Sequence, residues 1–257
     1  MPIRLVTYAT HSEGLFDKLV NNDLRAKIDV VGWGVQWTGF ADKINGFIAY
    51  LDKCSPDDIV VFLDGFDTVL VKSAGEIEQR FLELDCKVLV SMDLQHKTRR
   101  INKRIFGTCK NGTVANAGMY MGYAKYLRVL LTRIAQMKCS DDQVNLNTAC
   151  SEYDFIEIDT RRRIFYNSSK SSSAPVGVDT CAVSYPGTLT FKRIKRAVLK
   201  EYPQFFIKEL LVLAALLIYK FPNKKWTVVL VFLLCLKMWD TSCMVSRRVR
   251  VADGLQN

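Results

Sequence analysis

Ile59-Val60-Val61-Phe62-Leu63-Asp64-Gly65-Phe66-Asp67 is the stretch that decides the fold. Five consecutive apolar residues follow the chain break Pro56-Asp57-Asp58 and read as a strand buried on both faces. A strand covered on both sides belongs inside a sheet with helices above and below it. The run ends in two carboxylates, three residues apart, across a glycine. Open α/β sheets bind ligands beyond the carboxyl ends of their strands, so this turn is where such a fold presents a site.

The surrounding sequence alternates in the way that architecture requires. Residues 3–7, 29–31 and 87–91 are short β-rich or apolar runs, and 118–122 is another short apolar segment. Between them, 42–54 places Ile44, Phe47, Ile48 and Leu51 on one helical face, and Ile77, Phe81 and Leu84 mark a second face. Residues 126–137 and 142–150 continue the helical pattern. This α/β alternation predicts a mostly parallel sheet with helices on both faces. A Ser-rich loop occupies 168–176, and no repeat of 20–50 residues is visible.

The 257 residues are 49% hydrophobic and 24% charged, which excludes a disordered or collagen-like chain and allows a sizeable core without disulfide staples. A formal net charge of +10 suggests nucleic acid or an anionic membrane only if it is spread evenly, and it is not. Residues 1–190 hold 23 basic and 22 acidic side chains, and residues 191–257 hold 13 and 4. Two domains are therefore expected: 1–190, and a basic, hydrophobic segment at 191–257. In the second, apolar runs at 210–219 and 226–236 flank Lys220-Phe221-Pro222-Asn223-Lys224-Lys225, with Trp226 and Trp239 placed to sit at an interface. Each run is shorter than the roughly 20 residues that span a bilayer. They predict a C-terminal hydrophobic helical hairpin that associates with an anionic membrane, the alternative being two helices packed on the domain or in a dimer. Nucleic acid fits less well, because the basic residues are interleaved with aliphatic runs.

The N-terminus lacks the 7–15-residue apolar core of a secretory signal, so a cytosolic face and reduced cysteines are expected for the eight Cys. With no CxxC and only His11 and His96, both in polar surroundings, a structural zinc site is not expected. Asn111-Gly112-Thr113 and Asn167-Ser168-Ser169 match the glycosylation triplet, a pattern common by chance.

Three patches carry chemistry. Asp64 and Asp67 repel one another, and a divalent cation between them relieves that repulsion. Oxygen ligands suit Mg²⁺ or Mn²⁺, which usually bridge to a diphosphate. An ordinary Asp/Gly turn is the alternative. Asn116 precedes the small-residue turn Ala117-Gly118, where a backbone can approach a ligand closely, or simply turn. Asp141 and Asp142 open a helix, either as caps or as a carboxylate that acts as a base or stabilises positive charge on a sugar ring.

Taken in order, these patches resemble the glycosyltransferase domain of the procollagen-lysine hydroxylase (PLOD) family and related GT-A-type domains of large DNA viruses. The resemblance runs from about Leu5 to Gly187. It rests on Val6-Thr7-Tyr8-Ala9-Thr10, Gly32-Trp33-Gly34-Val35-Gln36-Trp37, Lys43, Phe62 through Leu70, Ser91-Met92-Asp93, Asn116 through Ala124, and Asp141-Asp142-Gln143. It implies a GT-A-like fold and metal-dependent hexosyl transfer from a UDP-sugar to a protein or glycan acceptor. By the same resemblance, Asp64 and Asp67 hold Mn²⁺ or Mg²⁺, while Val6, Thr7, Lys43, Phe66 and Asp93 bind the nucleotide part. Asn116, Asp141 and Asp142 serve the sugar and acceptor side. One position departs from the family: Ser184 stands where a histidine completes the metal shell. A catalytically inactive membrane-bound scaffold and a metal-dependent nucleotidyltransferase are the rival readings. The family's oxygenase domain is absent from these residues, so hydroxylase activity is not implied.

Overall fold

The computed structural model describes residues 3–93, 99–168, 178–186 and 206–220. The chain divides into two compact units, Met1–Thr188 and Leu189–Asn257. Among the described residues the first contains nine strands: β1 (Ile3–Tyr8), β2 (Ile28–Val31), β3 (Ile59–Leu63), β4 (Thr68–Leu70), β5 (Val88–Met92), β6 (Ala115–Tyr123), β7 (Ile156–Asp159), β8 (Phe165–Asn167) and β9 (Ala182–Ser184). Six of them make the central sheet in the order β2-β1-β3-β6-β5-β7, and β4-β9-β8 form a small second sheet. The helices of this unit are α1 (Phe16–Val20), α2 (Phe40–Leu51), α3 (Ala74–Glu83), α4 (Arg99–Phe106), α5 (Ala124–Ala135) and α6 (Asp142–Cys150).

Strand β3 is buried along its whole length and feeds both cores. Val60 and Phe62 pack with Phe47 and Leu51 of α2, Leu127 and Leu131 of α5 and Leu146 of α6. Ile59, Val61 and Leu63 pack with Leu19 of α1 and with Ile77 and Phe81 of α3. The two-residue period of a strand thus serves two helical layers, as the continuous apolar run requires. Helix ends follow their sequence signals. The Ser73 side chain accepts from the Glu76 amide at the start of α3, and the Asp141 carboxylate accepts from the Val144 amide at the start of α6.

The sheet is mostly parallel, with one reversed strand. β1 runs parallel to β2 and β3, and β5 runs parallel to β7. β6 runs antiparallel to β3 and β5 between them. The apolar segment at 118–122 is therefore the inner part of a nine-residue strand. Because β6 is reversed, its first residues lie at the same edge of the sheet as the carboxyl ends of β3 and β5, which brings Asn116 next to Asp64. The Asp64 amide donates to the Gly118 carbonyl at 2.8 Å.

One further finding differs from the sequence expectation. Cys109 and Cys150 form a disulfide with Cα atoms 5.0 Å apart, where reduced cysteines were expected. Forty-one residues separate them, so spacing alone carried no signal. Asn167 is buried, with its amide donating to the Met92 carbonyl at 2.8 Å.

In the second unit, the apolar run 210–219 lies within α7 (Ile207–Lys220). The run at 226–236, and with it the expected hairpin, lies outside the described residues, as does most of the Ser-rich loop. Among the described residues no helix is long and apolar enough to cross a membrane.

Asn147 ties the helix carrying Asp142 to the reversed strand. Its Oδ1 accepts from the Ala115 amide at 2.8 Å, and its Nδ2 donates to the Ala115 carbonyl at 2.9 Å and the Gln143 carbonyl at 2.8 Å. Asn147→Ala strands the buried Ala115 groups, and a loss of about 2–4 kcal/mol in unfolding free energy, read by urea denaturation, is the expected result. An unchanged midpoint would show that water replaces the amide freely.

Candidate active site

The turn after β3 is held from three sides. Gly65 lies so close to β1 that a Cβ there would come within 2.9 Å of Thr7 Oγ1. Thr7 itself is buried and donates to the Leu63 carbonyl at 2.7 Å, so its hydroxyl fastens the end of β3. The Phe66 amide donates to Asp64 Oδ1 at 3.2 Å. The turn then runs into β4, whose partner β9 places Ser184 opposite Thr68. From there Ser184 Oγ donates to Asp67 Oδ1 at 2.9 Å, and Thr68 Oγ1 donates to the same oxygen at 3.2 Å.

Across the edge, Asn116 is buried and its Oδ1 accepts from the Gly118 amide at 2.8 Å. A Cβ on Gly118 would stand 2.9 Å from that oxygen and 3.6 Å from the Asp64 Cβ, so glycine leaves the gap between the two side chains. Above them a buried ion pair joins Lys43 Nζ of α2 to Asp142 Oδ2 of α6. Lys43 also lies 5.5 Å from the centre of the Phe62 ring and 5.4 Å from that of Phe40. Burial works against the charge on Lys43, but Asp142, Asp64 and Asp141 together hold its pKa above the ordinary lysine value.

The sequence-predicted residues therefore fall into distinct places. Asp64, Asp67, Asn116, Lys43 and Asp142 gather at one edge of the sheet. Asp141 caps α6 with one oxygen, and Asp142, the next residue, is the one buried against Lys43. Val6 is fully buried within the core, so its side chain is packing and not ligand surface. Asp93 lies at the end of β5, two strands from β3, and accepts from Asn102 Nδ2 at 2.7 Å. Phe66 is partly exposed, with its ring 5.4 Å from that of His11. Exposed Trp33, Trp37 and Phe40 line the loop between β2 and α2. Trp33 stacks on Phe16, while Trp37 meets Tyr8 and Phe40 edge-on. The sequence did not single out Tyr120, a buried residue of β6 whose hydroxyl lies in the field of Asp142 and Asp64. An apolar strand pattern hides a tyrosine as an ordinary core residue.

Among the described residues no group of three or more His, Cys, Asp and Glu is placed to hold a metal. The donor set around Asp67 is oxygen only: two carboxylates and the Ser184 and Thr68 hydroxyls. That set fits a hard divalent cation whose remaining positions are taken by water or phosphate oxygens. Burial, and then the charge of Asp64, push the Asp67 carboxyl up to about 7, against the opposing pull of the Ser184 and Thr68 hydroxyls and of Lys43. A carboxyl raised above its unfolded value of 3.8 stabilises the fold fully at low pH and loses that contribution as pH rises toward 7. The unliganded protein should lose stability through this window, and Asp67→Asn should flatten the slope; urea unfolding from pH 4 to 8 measures both. A divalent cation held by this pair would bind more tightly as pH rises through about 7 and the competing proton leaves, which calorimetry reads.

Comparison with known proteins agrees with the geometry. A family model described as the PLOD GT domain matches residues 2–177, more than half of the chain. The matched stretch contains the whole central sheet, the carboxylate turn after β3 and α6. No curated protein matches the chain. With its mostly parallel α/β sheet and this match, the chain belongs to the PLOD glycosyltransferase-domain family.

Proposed function

We propose that this glycosyltransferase domain transfers a hexose from a UDP-sugar to a hydroxyl of a protein or glycan acceptor, with a divalent cation held by Asp64 and Asp67. The observation that carries this reading is the gathering, at one sheet edge, of a carboxylate pair with a buried Lys–Asp pair and a buried amide. Diphosphate is the ligand that such a set suits. A cation between the carboxylates, Mn²⁺ or Mg²⁺, would neutralise charge that develops on the diphosphate leaving group. Asp67 would hold the cation as its carboxylate, and the Ser184 hydroxyl would offer a third oxygen at the position where the resemblance places a histidine. Lys43 supplies a point charge for phosphate. Phe66 offers a flat apolar surface to the uracil base. Asn116 is placed to bond sugar hydroxyls, and Asp142 to accept a proton from the acceptor or to stabilise positive charge on the sugar ring.

Thermal shift with UDP and Mn²⁺ or Mg²⁺, followed by a screen of UDP-sugars for UDP release, tests this. Metal-dependent stabilisation by UDP and turnover of at least one UDP-sugar are expected, and Asp64→Ala should remove both. No stabilisation together with no UDP release from any donor would sink the reading in favour of an inactive scaffold.

The second unit supports a membrane-associated form of the enzyme. Helix α7 exposes Leu211, Val212, Leu213, Leu216 and Tyr219, an apolar surface of the kind that marks a lipid or protein contact. At 14 residues it is about 21 Å long, too short to cross a bilayer but sufficient to lie in the interface. The excess of basic residues in 191–257 favours anionic lipid. Full-length protein should cosediment with phosphatidylserine-containing vesicles, less so in high salt. The Val212→Asp/Leu216→Asp variant should stay in the supernatant while UDP binding is unchanged. Equal sedimentation of variant and wild type would rule α7 out as the contact.

A further inference from the structure

Among the described residues, three buried side-chain atoms have no hydrogen-bond partner: Tyr120 Oη, Asn145 Oδ1 and Asn167 Oδ1. Both asparagines are anchored through their amide nitrogens, to the carbonyls of Cys139 and Met92. Tyr120 has no second polar atom, and its ring is already fixed by packing. It faces Phe62 across the β3–β6 pair with ring centres 5.0 Å apart, and Phe47 meets it edge-on at 5.8 Å. Phenylalanine would fill this space equally well and leave no buried hydroxyl unbonded. A hydroxyl retained without a partner points to one that arrives in another state of the site.

The neighbouring ion pair supplies that state. Lys43 and Tyr120 both pack on Phe62, and Lys43 is the only hydrogen-bond partner of the Asp142 carboxylate among the described residues. Lys43 cannot turn to a diphosphate without leaving a buried carboxylate unpaired, and an unpaired buried charge is strongly disfavoured. We propose that Tyr120 is a positioning residue for Asp142: when the diphosphate of the donor draws Lys43 away, the Tyr120 hydroxyl becomes the hydrogen-bond donor to the Asp142 carboxylate. This role rests on the UDP-sugar reading above. Burial, and then the charges of Asp142 and Asp64, keep the phenol protonated, so it remains a donor. A neutral donor in place of Lys43 leaves Asp142 ionised and oriented, while the lysine charge is free for phosphate. No covalent step is involved; one hydrogen bond is exchanged for another.

Tyr120→Phe in the full chain tests the exchange, with UDP and Mn²⁺ as the probe. The unliganded melting temperature should be unchanged or raised, because the hydroxyl has no resting partner to lose. UDP affinity by calorimetry should fall about tenfold or more, the effect of one hydrogen bond to a charged group. That fall should vanish when the same change is made in an Asp142→Ala background, which a merely structural role of the ring would not produce. Wild-type affinity in Tyr120→Phe, a lowered unliganded melting temperature, or a fall that persists without Asp142 would each overturn the role of Tyr120 alone. Wild-type protein that fails to bind UDP would overturn the donor reading and this role with it.

Discussion

Both faces of β3 are covered by apolar side chains and both of its edges are hydrogen-bonded to other strands, so the first place this chain can put a charge is the end of the strand. That constraint organises the molecule. Asp64 and Asp67 are forced to the sheet edge together, on a turn pressed against β1 by the absence of a Cβ at Gly65. The reversed strand β6 then delivers Asn116 to the same edge, and α2 and α6 bring Lys43 and Asp142 over it. Each of these groups would be costly to bury singly. Gathered, they partly satisfy one another, as Lys43 and Asp142 do; on the proposed function a cation would complete the carboxylates and a diphosphate would draw on the lysine.

Much of this was legible in the sequence because it is local. Five apolar residues bounded by Pro56 and Asp64 announce a doubly buried strand, and the spacing of Ile44, Phe47 and Leu51 announces the helix laid over it. The direction of β6 was not legible, because a short apolar segment carries no sign of which way it pairs; that depends on how α4 and the following loop return the chain. The division of labour between Asp141 and Asp142 was also closed to sequence reading. Adjacent residues at a helix start point about 100° apart, and only the packed helix shows that one caps and the other turns inward. Lys43 and Asp142 are 99 residues apart, so nothing in either neighbourhood could name the other.

The charge distribution shows the same separation of local from global information. A net +10 reads as a property of the protein, yet residues 1–190 are nearly neutral and the surplus lies in 191–257. The candidate site holds a few charges close together at low dielectric, where one lysine outweighs a distant field. On the proposed membrane association, the basic residues of 191–257 would act differently, as a diffuse attraction screened by salt within about 8 Å at physiological ionic strength. They would then bear on where the protein sits, and α7 exposes an apolar surface that such a contact could use.

On the proposed function, the buried Lys43–Asp142 pair is a functional arrangement more than a stabilising one. Removing two charges from water costs roughly what their attraction returns, and a hydrophobic pair of similar volume often serves stability as well or better. A fold that needed only a link between α2 and α6 had cheaper solutions in the adjoining core of Phe47, Leu127 and Leu146. The pair instead keeps a cation and an anion ready, each neutralised by the other until something with more charge arrives. The diphosphate of the proposed donor would meet that condition, and a site built this way would resist closing on uncharged ligands, because nothing uncharged can separate the pair without stranding both halves.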